Sequence, residues 1–497
     1  AKQIGAELGV QYLLSGVVRW AKDGRGEWKA RVTASLVEAK TGVTKWTGDP
    51  ADITLDDPFT VQGTIATDVV KQMQVQLLPD ERRLLTRKFS DNPQAFAAFQ
   101  RGVSIISAAE GSSATFDPAT YEAGAREFEA AIALDSGFGA AWGKLANSRE
   151  FLAAVRIGDS TSVSSARKVI DKAMTMASEE PMVMLALGLH RLQFDRDSSG
   201  VDSLIAGALR RSPNDASLYK YASGVEIIRG RPDRAFSLAE RAAKLDPRSP
   251  NVLNGAASLA NFTGRHELAR RYAILLESIE PTSEQPFAIR LDAAVREGDT
   301  LRMQVELDRA NKLLPHSSYL IRGFLPYAGT KRAREFLATS AVELAVVTVF
   351  DSAYAYYDSK SDAALALGDF PLARTYSDSV RRLLRRRQIG GFDAEQLRVV
   401  LAFAEANAGA VADARSTLAS ALQAAGTANA DDLPVHKLSA PSVAGTYARL
   451  GDIDNAIRWL EAGLTAGYTS RSYRIAPKLR VLHGNEAFEA FLRRHPE

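Results

Sequence analysis

The sequence predicts a mainly α protein, an α-solenoid of paired helices behind a small α/β domain. Three observations carry that prediction. Pro213, Pro247, Pro281 and Pro315 fall 34 residues apart, and Gly230, Gly264 and Gly298 keep the same step, each 17 residues before a proline. Ala235 and Ala269 follow two of those glycines by five residues. Far upstream, Trp28, Ala30, Val32, Ala34 and Leu36 alternate with polar residues, the period-two pattern of a half-buried strand.

The first 78 residues supply the α/β elements. Ala1 to Leu8 forms the end of a helix closed by Gly9. Tyr12 to Val18 is a strand, and Asp23-Gly24-Arg25-Gly26 suits a hairpin turn because glycine tolerates positive φ. Thr41-Gly42 turns again before a short third strand, Val43 to Trp46. After Asp56-Asp57-Pro58 a helix runs from about Phe59 to Leu78, with Val61, Ile65, Val69, Met73 and Leu77 on one face.

This stretch resembles the TolB amino-terminal-like domain, similar to the flagellar-assembly FlgO type. The resemblance sits on Ile4-Gly5, Leu8-Gly9-Val10, Tyr12-Leu13, Gly16, Val18-Arg19, Arg31-Val32, Leu36-Val37, Thr41-Gly42, Trp46 and Phe59 to Ala66. The family's opening strand and the start of its first helix have no counterpart, so the domain is expected to be partial, with an exposed sheet edge. The resemblance implies that a longer parent protein extends upstream. It places such a domain and its helical repeats behind a catalytic or DNA-binding module in bacterial serine/threonine kinases, class III nucleotide cyclases and winged-helix regulators.

A linker is expected over 79–92 and helical repeats over 93–475. A 34-residue period with a Gly turn, a small residue five positions on and a closing Pro is the signature of tetratricopeptide (TPR) helix pairs. Repeats phase from Met182, Ala216, Pro250 and Glu284, with Asp246-Pro247 and Glu280-Pro281 as inter-repeat turns. The frame lapses between His316 and Ser361, where Val342 to Tyr357 predicts one longer helix. It returns at Gly368-Asp369 with Ala373, Gly409 with Ala414, and Gly451-Asp452 with Ala456, now at steps of 41 and 42 residues. Ser112 to Pro118, Asp159 to Ser165 and Gly426 to Leu438 are expected as loop insertions. Residues 476–497, with Phe488, Phe491 and Leu492, form a capping segment over the last open face.

Composition narrows function. The 497 residues are 46% hydrophobic and 24% charged, with 62 basic against 59 acidic side chains for a net charge of +3. That balance gives no footprint for nucleic acid. With no cysteine, thiol catalysis, disulfides and cysteine zinc sites are excluded. No apolar run is long enough for a membrane span.

Catalytic motifs are absent from the sequence. The string nearest to a kinase D-F-G is Gly368-Asp369-Phe370-Pro371, with Pro where glycine is needed. No phosphate-binding G-x-x-x-x-G-K-[ST] loop, H-E-x-x-H pair or G-x-S-x-G elbow occurs. No enzyme activity, metal or cofactor is therefore expected of this chain.

Phasing as TPRs puts the first helix of each pair on the concave side. Candidate groove residues are Asn147, Glu150, His190, Gln193, Lys220, Asn251, Asn254, Ser258, Asn261 and Asp292. Asn and Gln suit peptide backbone because each amide both donates and accepts. The chaperone-type carboxylate clamp is not expected, because Leu187 stands where its second asparagine should be. Arg381, Arg382, Arg385, Arg386 and Arg387 form the sharpest charge cluster, either a solvated helix face or an anionic docking patch.

The expected function is a non-catalytic interaction, scaffold or sensor module of a bacterial signalling protein, gripping a protein or peptide segment. Alternatively it is the regulatory C-terminal half of a serine/threonine kinase or nucleotide cyclase. A self-associating solenoid is a third option. Location is open between the periplasmic side of a membrane-anchored protein and the cytoplasm.

Overall fold

The computed structural model describes residues 2–8, 10–22, 28–53, 58–73, 90–111, 118–156, 159–314, 323–339, 352–386, 389, 394–426, 433 and 438–496. Its contacts divide the chain into two units. One comprises Ala1–Gly102 with Glu127–Ala141, and the other Val103–Arg126 with Trp142–Glu497.

The first unit opens with α1 (Lys2–Leu8), followed by β1 (Tyr12–Lys22) and β2 (Trp28–Glu38). These strands pair antiparallel from Tyr12↔Glu38 to Lys22↔Trp28. The register agrees with a hairpin, whose tip at residues 23–27 lies outside the described residues. β3 (Thr44–Thr47) also pairs with β2, across an irregularity at Leu36/Val37. A further strand, β4 (Ala51–Ile53), pairs with β2 and was not expected. Three residues are too few to display an alternation. Helix α2 spans Pro58–Gln72; the expected extension to Leu78 lies outside the described residues. Within this unit Phe99 meets Phe128 and Phe138, with ring centroids 5.8 and 4.9 Å apart.

Helices α3 (Pro93–Gly111), α4 (Pro118–Leu134) and α5 (Gly139–Val155) carry the chain onward. The second unit is a TPR-type α-solenoid. After α6 (Ser160–Met176) come α7 (Pro181–His190), α8 (Val201–Arg211), α9 (Ala216–Ile228) and α10 (Pro232–Leu245). Then follow α11 (Pro250–Phe262), α12 (His266–Ile279), α13 (Gln285–Glu297) and α14 (Thr300–Leu313). Past α15 (Thr330–Ala338), three pairs close the array. They are α16 (Ser352–Leu367) with α17 (Phe370–Arg385), α18 (Ala394–Ala408) with α19 (Val411–Ala425), and α20 (Ala440–Arg449) with α21 (Ile453–Leu464). Short α22 (Ser470–Ile475) and α23 (Glu486–Arg494) end the chain.

One device repeats through the array. At Gly298-Asp299, Gly368-Asp369 and Gly451-Asp452, a left-handed glycine ends one helix and the aspartate caps the next. Asp299 accepts from Arg302 N, Asp369 from Leu372 N and Asp452 from Asn455 N. The glycine supplies the positive φ and the carboxylate satisfies a backbone donor left bare at the helix start. Small residues then set the helix spacing: Ala235, Ala242, Ala269 and Ala273 are fully buried.

Two expectations are corrected or only partly described. Asp159 to Ser165 is not a loop insertion; Asp159 caps α6, accepting from Thr161 N, and Ser162 donates to its other oxygen at 2.5 Å. A run of Asp, Ser and Thr serves helix starts as readily as loops. Of the long helix expected over Val342 to Tyr357, the described part begins at Ser352 and continues to Leu367. Near the C-terminus Phe488, Phe491 and Leu492 share one buried cluster with Trp459, Leu460 and Tyr473.

Candidate partner-binding surface

The first helices of successive pairs, α7, α9, α11 and α13, touch one another in order along the array. On this face the polar residues divide sharply by what they already bond.

Asn254 is half-buried and Ser258 exposed, one turn apart on α11, and neither side chain makes a hydrogen bond within the described residues. Lys220 occupies the position 34 residues before Asn254, and its stem reaches the α11 backbone beside Gly255. Its ammonium sits 5.0 Å from the Tyr221 ring. Asn147 donates to the Tyr221 hydroxyl at 2.9 Å, joining α5 to α9. Asn251 is half-buried on the first turn of α11. Of these five, Ser258 is exposed and Asn147, Lys220, Asn251 and Asn254 are half-buried.

Glu150 and His190 are buried instead. The Glu150 carboxylate meets His190 Nδ1 at 2.8 Å, and the imidazole lies against Phe194. Burial pushes the Glu150 carboxyl above its ordinary range, opposed by the hydrogen bond and charge of His190. Its Oε1 has no partner, nor does Oε1 of Gln193, which sits in the π-turn Arg191–Asp195 that continues α7. Asp292 is bonded by Arg296 Nε at 3.0 Å to one oxygen and 3.1 Å to the other.

Asn261 is 1% exposed and its amide is committed inside the protein. Nδ2 donates to Ile289 O at 2.9 Å, and Oδ1 faces His266 Nδ1 at 3.3 Å. The other imidazole nitrogen, Nε2, lies 3.0 Å from Gly467 O, and both its neighbours are acceptors. Burial lowers the His266 pKa, countered by Glu297 and reinforced by Arg296. Burial thus favours the neutral ring, which has one proton to give to two flanking acceptors.

Gly467 belongs to a segment that no sequence pattern announced. The chain after α21 returns to the middle of the array as a strap. Arg296 Nη1 donates to Ala466 O at 2.8 Å, and the guanidinium stacks over Tyr468, 4.7 Å from the ring centroid. Thr469 donates to Arg296 O twice, from its amide at 3.0 Å and its hydroxyl at 2.9 Å. Two turns of the 34-residue frame receive the strap. A methyl group at Gly467 would lie 2.6 Å from Asn261 O and 2.8 Å from Gly264 N, and one at Gly298 would lie 2.4 Å from Arg471 C. Beyond, buried Lys478 holds Asp358 and Asp362 of α16, each at 2.8 Å.

The arginine cluster is largely neutralised from within. Arg381 and Arg382 both pair with Asp378, and Arg385 pairs with buried Glu405 and with Asp413. Arg386 is exposed at the end of α17, and Arg387 lies outside the described residues.

Arg449 was not singled out by the sequence, yet its surroundings are unusual. It stands two residues before Gly451, as Arg296 stands two before Gly298. Two of its nitrogens, Nε and Nη2, are closed off from solvent without an acceptor. Its guanidinium is 5.1 Å from the Phe370 ring centroid. Burial lowers its pKa, and Arg374 lowers it further. The signal available in the sequence was position: four residues before Arg296 is Asp292, whereas four before Arg449 is Gly445.

Among the described residues no group of three His, Asp or Glu could hold a metal ion, and no helix is long and apolar enough to cross a membrane. No protein-family model and no curated protein matches the chain. Among solved structures, pilF of Pseudomonas aeruginosa aligns over 46% of this chain and 96% of its own, at 16% identity and a TM-score of 0.32. YrrB, described as a TPR protein with an unusual peptide-binding site, aligns over 38% and 92%, at 16% identity and 0.28. The human IFIT1 dimer with PPP-AAAA aligns over 74% and 78%, at 14% identity and 0.38.

Proposed function

We propose that this chain is a non-catalytic interaction module that takes a protein or peptide segment along the face made by α9, α11 and α13. The observation that carries the reading is the unspent polarity of α11. Asn254 and Ser258 point from one side of that helix, beside Lys220, with their hydrogen-bonding capacity unused inside the protein. Repeat arrays present such faces because each helix pair buries its apolar side against its neighbours and leaves one polar side continuous. An extended segment laid there would exchange backbone hydrogen bonds with the Asn254 amide and the Ser258 hydroxyl. Asn261 takes no part in this reading, since its amide holds α13. On the resemblance of residues 1–78, the setting we infer is a bacterial signalling protein.

The test is capture of partner with Asn254→Arg and Ser258→Arg, each with a thermal melt. Loss of capture at an unchanged melting temperature supports the face. Full capture by both variants removes it.

A further inference from the structure

The geometry points to a second docking point, at Arg449, for an acidic segment of the partner protein, whose carboxylate would take the Nε–Nη2 edge of the guanidinium. The inference rests on the reading of the array as a partner-binding module and names the chemistry of what is bound.

The argument compares two arginines at the same place in the repeat. Arg296 and Arg449 each stand two residues before a left-handed turn glycine. Arg296 is fully engaged: its Nε bonds Asp292, its Nη1 bonds a strap carbonyl, and an aromatic ring of the strap covers it. Arg449 has the aromatic cover, from Phe370, but among the described residues no acceptor for its Nε or Nη2. Position 445 is glycine, so no carboxylate rises from the preceding turn. Asp452, in the adjacent turn, spends its carboxylate on Asn455, at 3.2 Å from N and 2.8 Å from Nδ2. The chain beyond the strap passes this helix one turn earlier, where a methyl group at Gly445 would lie 2.8 Å from Lys478 O, and it does not cover the turn at Gly451. Among the described residues a methyl group at Gly368, Gly409 or Gly451 would meet nothing within 4 Å, whereas at Gly298 and Gly467 it would collide with backbone.

What surrounds Arg449 is positive. Arg374 is exposed and acts on it as a like charge. Arg415, from α19, donates to Leu450 O at 3.1 Å, one residue further on. Arginines 374, 415 and 449 thus gather at the turn ends of three successive pairs. A guanidinium withdrawn from water without an acceptor is costly to the fold, and Nε with Nη2 is the side of the fork that receives a carboxylate bidentately. Phe370, 41% exposed at the start of α17, covers the guanidinium, and Val411, 46% exposed, opens α19. Binding would swing the ring aside and give the arginine the partner that Asp292 gives Arg296.

The test titrates the whole chain with a fluorescent, terminally blocked peptide that copies the strap but carries acid, Ala-Gly-Tyr-Asp-Ser-Glu, against its Asn/Gln counterpart. The acidic peptide is expected to bind at least tenfold more tightly. Arg449→Met should weaken it at least tenfold and Arg374→Gln about threefold, with Arg382→Gln without effect. Arg449→Met should also melt no lower than the native protein, because the charge removed had no partner. Equal affinities for the two peptides, unchanged binding by Arg449→Met, or a clear fall in its melting temperature would overturn the proposal. So would displacement of the peptide by millimolar inorganic phosphate, which would mark a site for a free anion. Asn254→Arg should leave this peptide's affinity intact, so failure of the α11 face and failure of the Arg449 site are separately visible.

Discussion

Gly298 and Gly409 have the same local conformation, with φ of +69° and +90°, and close the first helix of a pair in the same way. Replacing each with alanine should nevertheless cost very different amounts. At Gly409 the added methyl meets nothing within 4 Å, so only the backbone matters. A left-handed L-residue costs about 1–2 kcal/mol. Loss of glycine's freedom in the unfolded chain returns about 0.4–1 kcal/mol. The net destabilisation is about 1 kcal/mol. At Gly298 the methyl would lie 2.4 Å from Arg471 C and 2.6 Å from Ser472 N, backbone atoms that no rotamer change can move. The cheaper response is release of the strap. That forfeits the two bonds from Thr469 to Arg296 O and the bond from Arg296 to Ala466 O. At about 1 kcal/mol each, the strap contributes about 3 kcal/mol and the total for Gly298→Ala is about 4 kcal/mol. Hydrogen exchange followed by mass spectrometry reads the difference directly. Protection over residues 466–476 should collapse in Gly298→Ala and persist in Gly409→Ala, with melts recorded alongside. Equal destabilisation by the two variants, or retained protection of the strap in Gly298→Ala, would refute the assignment.

The remaining predictions concern buried titratable groups. Glu150→Ala strips the hydrogen-bond partner from buried His190 and should cost about 1–3 kcal/mol in urea unfolding, whereas Glu150→Gln keeps a hydrogen bond and should cost less than half as much. His266 is held below its ordinary pKa, so the folded state favours the neutral ring, with Glu297, Asp292 and Arg296 facing it. Its contribution is complete above about pH 6.5 and is lost as pH falls through the lowered value, so strap exchange should quicken on acidification and His266→Gln should flatten that profile. Asp362 moves the other way: burial raises it from 3.8 to about 6, with Lys478 opposing. The folded state keeps this proton longer than the unfolded chain, so stability drains as pH rises from about 4 to about 6, by up to about 1.4 kcal/mol per pH unit. Denaturation midpoints across that range should be flatter for Asp362→Asn; an unchanged slope would contradict the assignment.

The parts legible in the sequence were those that repeat. Repeats phased from Met182, Ala216, Pro250 and Glu284 meet helices that start at Pro181, Ala216, Pro250 and Gln285, because proline, turn glycine and capping aspartate act over only a few residues. What escaped was set by tertiary contacts that no local pattern carries, at separations from 5 to 201 residues. Asn254 and Asn261 lie seven residues apart, almost on the same side of α11, and helical periodicity gives them one role. Position along the axis separates them. Asn254 sits mid-helix with its amide open, while Asn261 sits at the end, where Ile289 O and His266 claim it. The turn glycines divide in the same way. Gly298 and Gly467 must be glycine twice over, for their φ and for the close approach of strap and turn, whereas Gly264, Gly368, Gly409 and Gly451 answer only to φ. A repeat period records what every pair needs to fold. The departures from it, a strap over two turns and an arginine without its aspartate at a third, answer to contacts that only those pairs make.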